Sequence, residues 1–186
     1  IIAIQLVSIW RSIALGMSEA AATLIGTALG EGDAEKTKLC MKLTVVNSVL
    51  VSSVLAVASY CLMSYQVALF SSDKDVKSVF MATFWIICLC MPVDQIQTSL
   101  NQGILVAFGA QNFTCLTMSI ACYGIGLPIV LGTIFFTDLN VAGVFIGLGA
   151  AALVMLVSAV LKISTVNIEH EISKSRDRVD GDDEDG

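Results

Sequence analysis

"GTALGEGDAEK" (Gly26–Lys36) ties an apolar segment to a charged one. Three glycines beside mixed charges suit a phosphate cradle, a close helix contact, or the end of a membrane-crossing helix. A phosphate loop sets its glycines between a strand and a helix, ahead of Lys-Ser/Thr. Here they follow an apolar run and lead into "EGDAEK", so a nucleotide site does not fit. Gly26 and Gly30 are four apart, a spacing that lets two helices approach closely, and Gly32-Asp33 favours a chain reversal. The stretch reads as a packed helix end followed by a turn into the next helix.

The flanks say what those helices cross. The 186 residues are 56% hydrophobic and 14% charged, with a mean hydropathy of +0.84; soluble domains are about half apolar and about a quarter charged. Crossing a hydrocarbon core of about 30 Å takes roughly 20 helical residues. Five runs are long enough, at 1–29, 43–68, 76–106, 113–136 and 141–163. A lone strand facing lipid would leave its backbone groups unpaired, which excludes the alternative. The expected fold is an all-α membrane protein, a polytopic bundle of five transmembrane helices over residues 1–163. Pro92 and Pro128 lie within runs and should kink or loosen their helices.

Residues 164–186 form an acidic stretch of eight acids against Lys174, Arg176 and Arg178, which accounts for five of the six net negative charges. Its low apolar content predicts a disordered tail, and the low isoelectric point describes that tail rather than a binding surface. The chain opens on Ile1, without a cleavable signal pattern, and is expected to be a fragment of a longer protein.

Lys and Arg set the orientation. Lys36, Lys38, Lys42, Lys162, Lys174, Arg176 and Arg178 fall on one side, and only Lys74 and Lys77 on the other. The glycine stretch and the C-terminus are expected to face the cytoplasm. Asn112-Phe113-Thr114 then lies on the cytoplasmic side and should stay unglycosylated. The six cysteines form no CxxC pair and the single histidine, His170, sits in the tail, so no metal centre is expected.

Polar residues within the runs carry the functional signal. Asp94, Gln97, Thr98 and Asn101 recur at helical spacing, and Gln95, Ser99 and Gln102 widen the stripe. A carboxylate at mid-membrane costs about 2.5–3.5 kcal/mol on insertion scales, so this face should meet protein or water. It reads either as a substrate or ion path or as interhelical hydrogen bonding. An ionised Asp94 attracts a cation and a protonated one carries a proton, and the two states exclude each other. Arg11 and Glu19 share the first run about 12 Å apart, too far for a direct pair; each is expected to meet another helix or reach an interface. Tyr123 suits stacking on a cationic aromatic ligand or plain packing. Gly143 and Gly147 read as a helix contact.

Five stretches, in order, resemble the multidrug and toxin extrusion (MATE) transporters: "GTALGEGDAEKTK" from Gly26, "ALFSSDKDV" from Ala68, "GILVAFGAQ" from Gly103, "CYGIGLPIVLG" from Cys122 and "NVAGVFIG" from Asn140. In that family they belong to the eighth through twelfth of twelve helices, so the resemblance implies most of a C-terminal lobe that lacks its N-terminal partner. Several positions depart from the pattern. Leu24 stands for an arginine, Thr27 for an asparagine, and Val106, Ala107 and Phe108 for "RGS". The acid that relatives carry in the eighth helix falls on Gln5. Their acid in the tenth falls on Gln95, or on Asp94 if one residue is inserted before Gly103.

The resemblance implies a secondary antiporter in the cell membrane that exports organic cations or amphipathic drugs against H+ or Na+. That coupling ion is its only expected cofactor. The implied partners are the lipid bilayer and the other lobe, with no nucleic acid. Taken together, the polar stripe, Tyr123 and the family positions give Gln5, Asp94, Gln95, Gln97, Asn101 and Tyr123 as the expected pathway residues. A lipid-linked precursor flippase of the same superfamily would need a more basic cavity, and a non-transporting scaffold would need none. A membrane enzyme lacks any Ser/His, Cys/His or metal constellation in the runs.

Overall fold

The structure, a computed structural model, describes residues 2–63, 65–66, 74–137, 140–169 and 171–173. Within them the regular structure is helical throughout, arranged as five long rods. The first two are α1 (Ile2–Gly30) and α2 (Ala34–Cys61). The third joins α3 (Lys74–Thr98) without a break to a π-helical segment, Ser99–Leu105. The fourth is α4 (Gln111–Ser119), a second π segment at Ile120–Gly126, and α5 (Leu127–Phe136). The last is α6 (Asn140–Thr165). Four stretches of described residues are long and apolar enough to cross a membrane: Ser8–Gly30, Ala34–Cys61, Gln111–Phe136 and Ala142–Thr165. The third rod, of comparable length, carries the polar stripe.

The turn expected at Gly32-Asp33 is present, but the helix after it begins earlier than its apolar run. Gly32 takes φ 74°, a left-handed conformation that glycine adopts without cost. The Gly32 N–H donates to the Leu29 carbonyl and the Asp33 N–H to that of Ala28, which closes the end of α1. The Asp33 side chain then accepts a 2.9 Å hydrogen bond from the Lys36 N–H and caps α2. Lys36, Lys38 and Lys42 therefore lie on the first turns of α2, which begins nine residues ahead of the apolar run at 43. Lys36 pairs with Glu31 at 2.5 Å and Lys38 with Glu35 at 3.0 Å. Replacing Asp33 with alanine should destabilise the bundle by about 1 kcal/mol, the usual worth of such a cap. Thermal unfolding in detergent checks this, with Asp33→Asn as the cap-preserving control.

Two apolar clusters hold the ends of the bundle. One gathers Phe84, Ile86, Ile87 and Met91 of α3 with Ala142 and Phe145 of α6, flanked by Trp10 and Met63. The other gathers Ile25 and Leu29 of α1, Leu100, Ile104, Leu105 and Phe108, and Ala159 of α6, flanked by Ala34, Cys40 and Phe113. The end of α1, the start of α2, the foot of the third rod, the start of α4 and the end of α6 thus meet at one pole, as an up-and-down bundle requires. Lys162 extends over the Phe113 ring there, 5.5 Å from its centroid, a cation–π geometry. Ile172 packs on the same cluster, joined by Ile168. The described start of the stretch read as a tail is therefore docked on the bundle; residues 174–186 and His170 lie outside the described residues, as do 67–73, which hold most of the second family stretch.

Glycines set the closest approaches, at positions other than the first quoted. A Cβ at Gly26 or Gly30 would meet nothing within 4 Å, so their spacing serves no contact among the described residues. Gly143 and Gly147 do make the expected contact. A Cβ on Gly143 would collide with Thr133, and one on Gly147 with Val130 and, at 2.8 Å, the Gly126 carbonyl. Gly103 sits against α1, where a Cβ would lie 3.3 Å from the Ser18 carbonyl oxygen. Pro92 lies inside α3 without ending it, and the irregular turns fall downstream. Pro128 is the second residue after the second π segment. It has no N–H to donate and its ring crowds the preceding turn, and the wider π turn accommodates both.

Candidate functional site

Between the two apolar clusters the third rod turns polar, and a cleft of about 140 Å³ opens there. Its walls include Trp10 and Arg11 of α1, Met91, Asp94, Gln95 and Gln97 of α3, and Gln102. Met118, Cys122, Phe145, Leu148 and Met155 complete the apolar side. Gly149 of α6 also lines it, close against Cys90, where a Cβ would lie 2.6 Å from the Cys90 sulfur.

Asp94 is half-buried on the cleft wall. Gln97 Nε2 donates to Asp94 Oδ1 at 3.0 Å and lies 3.1 Å from Thr98 Oγ1. Behind it, Asn101 Nδ2 donates to the Gln97 carbonyl at 2.9 Å and reaches Gln97 Oε1 at 3.3 Å and the Met155 carbonyl at 3.4 Å. This chain runs from the cleft carboxylate through α3 to the backbone of α6. Asn101 is 1% exposed and its Oδ1 accepts from no described group. It supports Gln97 and does not itself line the cleft. Gln95 Nε2 donates to the Trp10 carbonyl at 2.9 Å and pins α1 to α3 at cleft level.

The structure thus brings Asp94, Gln95 and Gln97 together on one wall, with Asn101 behind them. Tyr123 is elsewhere: at 74% exposed it points off the described bundle, and its neighbour Cys122 faces the cleft instead. The Gln5 side chain lies outside the described residues. Arg11, expected to meet another helix or reach an interface, lines the cleft, whereas Glu19 is exposed on a different face. Gln102, which widens the polar stripe, lines it as well, and so does Trp10, which the sequence reading did not single out. Helical spacing alone could not have found Trp10 and Arg11, because the bond that sets α1 against α3 joins residues 85 apart.

A second polar feature is the outer face of α1. Ser8, Ser12, Gly16, Glu19, Thr23 and Thr27 are all exposed and recur every three to four residues. The hydroxyls of Ser12, Thr23 and Thr27 each donate to the carbonyl four residues earlier, which satisfies them in apolar surroundings. Glu19 forms no ion pair among the described residues. A carboxylate at this depth is costly against lipid.

The family model described as MatE matches residues 1–132. An uncharacterized transporter of Schizosaccharomyces pombe is 28% identical over 77% of this chain and 26% of its own length. Protein DETOXIFICATION 41 of Arabidopsis thaliana is 29% identical over 89% of this chain and 32% of its own. Multidrug and toxin extrusion protein 1 of Danio rerio is 27% identical over 77% and 24%. The chain therefore spans about a quarter to a third of the length of these relatives. The crystal structure of the eukaryotic MATE transporter AtDTX14 superposes with a TM-score of 0.74 at 22% identity, over 95% of this chain and 39% of that one.

Proposed function

The chain belongs to the MatE family, and from that premise we propose that it supplies helices of the C-terminal lobe of a secondary antiporter. This antiporter exports organic cations or amphipathic drugs across the cell membrane in exchange for H+ or Na+. The observation that carries the reading is the Asp94 carboxylate on the wall of a cleft that lies between two apolar clusters. Ionised, it holds a cation; protonated, it releases one. A lobe that opens its cleft to one side at a time converts that exclusion into exchange.

Three further features support it. A π turn holds one residue more than an α turn, so Ser99–Leu105 can absorb the single insertion before Gly103 that aligns Asp94, rather than Gln95, with the acid of relatives. Gln95 is in any case committed to the Trp10 carbonyl. The exposed polar face of α1 would be paid for by water in a cavity shared with the N-terminal lobe. The described bases Lys36, Lys38, Lys42 and Lys162 sit at one pole, as the positive-inside rule asks of the cytoplasmic end.

Reconstitution tests the reading. The full-length protein in proteoliposomes should take up a fluorescent organic cation when an outwardly directed H+ or Na+ gradient is imposed, and stop when the gradient is collapsed. Uptake indifferent to both gradients would rule the antiporter out.

A further inference from the structure

Arg11 is the one basic side chain on the wall of the cleft among the described residues. The Gln95–Trp10 hydrogen bond fixes it there, since Arg11 and Asp94 are each the sequence neighbour of a bonded residue and so lie at the same level. No ion pair joins them, and among the described residues Arg11 has no carboxylate partner. A guanidinium stays charged at any physiological pH, and at membrane depth an uncompensated charge is expensive. Its planar fork of donors fits a carboxylate or another oxyanion better than any neutral group.

We infer that Arg11 is a specificity-determining residue. It gives the cleft an anion subsite opposite the cation subsite at Asp94, so the favoured ligand is a compact zwitterion with an apolar body. Trp10, Phe145 and Met118 supply the apolar wall for that body. A simple organic cation meets attraction at Asp94 and repulsion at Arg11, whereas a zwitterion satisfies both. Loading a proton on Asp94 removes only the cationic subsite, leaving the ligand held at one end. The inference rests on the antiport reading above.

A matched pair of probes tests it: N,N,N-trimethylanilinium and its para-carboxylate, 4-(trimethylammonio)benzoate. Both are titrated as inhibitors of gradient-driven uptake of a fluorescent cation by the full-length protein. The zwitterion should inhibit the wild type about tenfold or more better than the cation. Arg11→Gln should erase that difference and make the plain cation more potent, and Arg11→Lys should keep part of the preference. A wild type that does not favour the zwitterion overturns the inference without needing a variant, and so does Arg11→Gln weakening both probes equally. Failure of the reading beneath it looks different: uptake is then independent of either gradient, whatever stands at position 11.

Discussion

Asp94→Asn in the full-length protein is expected to abolish gradient-driven uptake, leaving vesicles at the background of the empty membrane. The asparagine has the same shape and keeps an oxygen that can accept from Gln97, now 3.0 Å from the carboxylate. The hydrogen-bonded chain through Asn101 to the Met155 carbonyl should survive. What disappears is the charge that holds a cation and the oxygen that takes a proton. The variant should therefore unfold within about 1 kcal/mol of the wild type, as a surface-like isosteric change does, while transport is lost. Initial uptake rates at a fixed H+ gradient, measured beside thermal unfolding in detergent, separate the two. Normal pH-driven transport by Asp94→Asn would refute the role given to this carboxylate.

Gly147→Ala should be the most damaging single methyl in the bundle. Its Cβ would meet the Gly126 carbonyl at 2.8 Å and collide with Val130. A backbone oxygen on the fourth rod cannot swing away as a side-chain tip does, so α6 and that rod must part. Overpacking of this kind costs about 1–3 kcal/mol. Gly26→Ala is the counterpart, since its Cβ meets nothing within 4 Å. There the lost backbone freedom of the unfolded chain should raise stability by about 0.4–1 kcal/mol. Melting temperatures of the two variants should move in opposite directions. A loss at Gly26 as large as that at Gly147 would mean that chain beyond the described residues covers its face.

Both variants touch what was and was not legible in the sequence. Long uniform apolar runs dictated helices, and the observed rods follow them closely because a membrane leaves a backbone no other choice. Boundaries slipped where a local cap outweighed hydropathy: Asp33 starts α2 well ahead of its apolar run. The Gly143/Gly147 contact was readable from spacing, yet the same spacing at Gly26/Gly30 makes no contact, because spacing identifies a possible seam without saying which face has a neighbour. In the cleft, Asp94, Gln95 and Gln97 were visible because they share one helix and cost too much to leave in lipid. Arg11 and Trp10 came into view only with the pairing of α1 and α3, and Tyr123 left it for the same reason: a one-dimensional pattern does not say which way a helix is turned.

The π-helical segment at the foot of the third rod works as a screw that resists tightening. Rewinding Ser99–Leu105 into an ordinary α-helix would expel one residue from its turn and rotate everything below Asp94 by about 100°. Gln102 or Ile104 would then arrive where Gly103 now rests, at a spot where even a methyl carbon would lie 3.3 Å from the Ser18 oxygen. Ser18 and its turn of α1 would have to give by a few tenths of an ångström, so the contact at Gly103 resists turning this rod on its own.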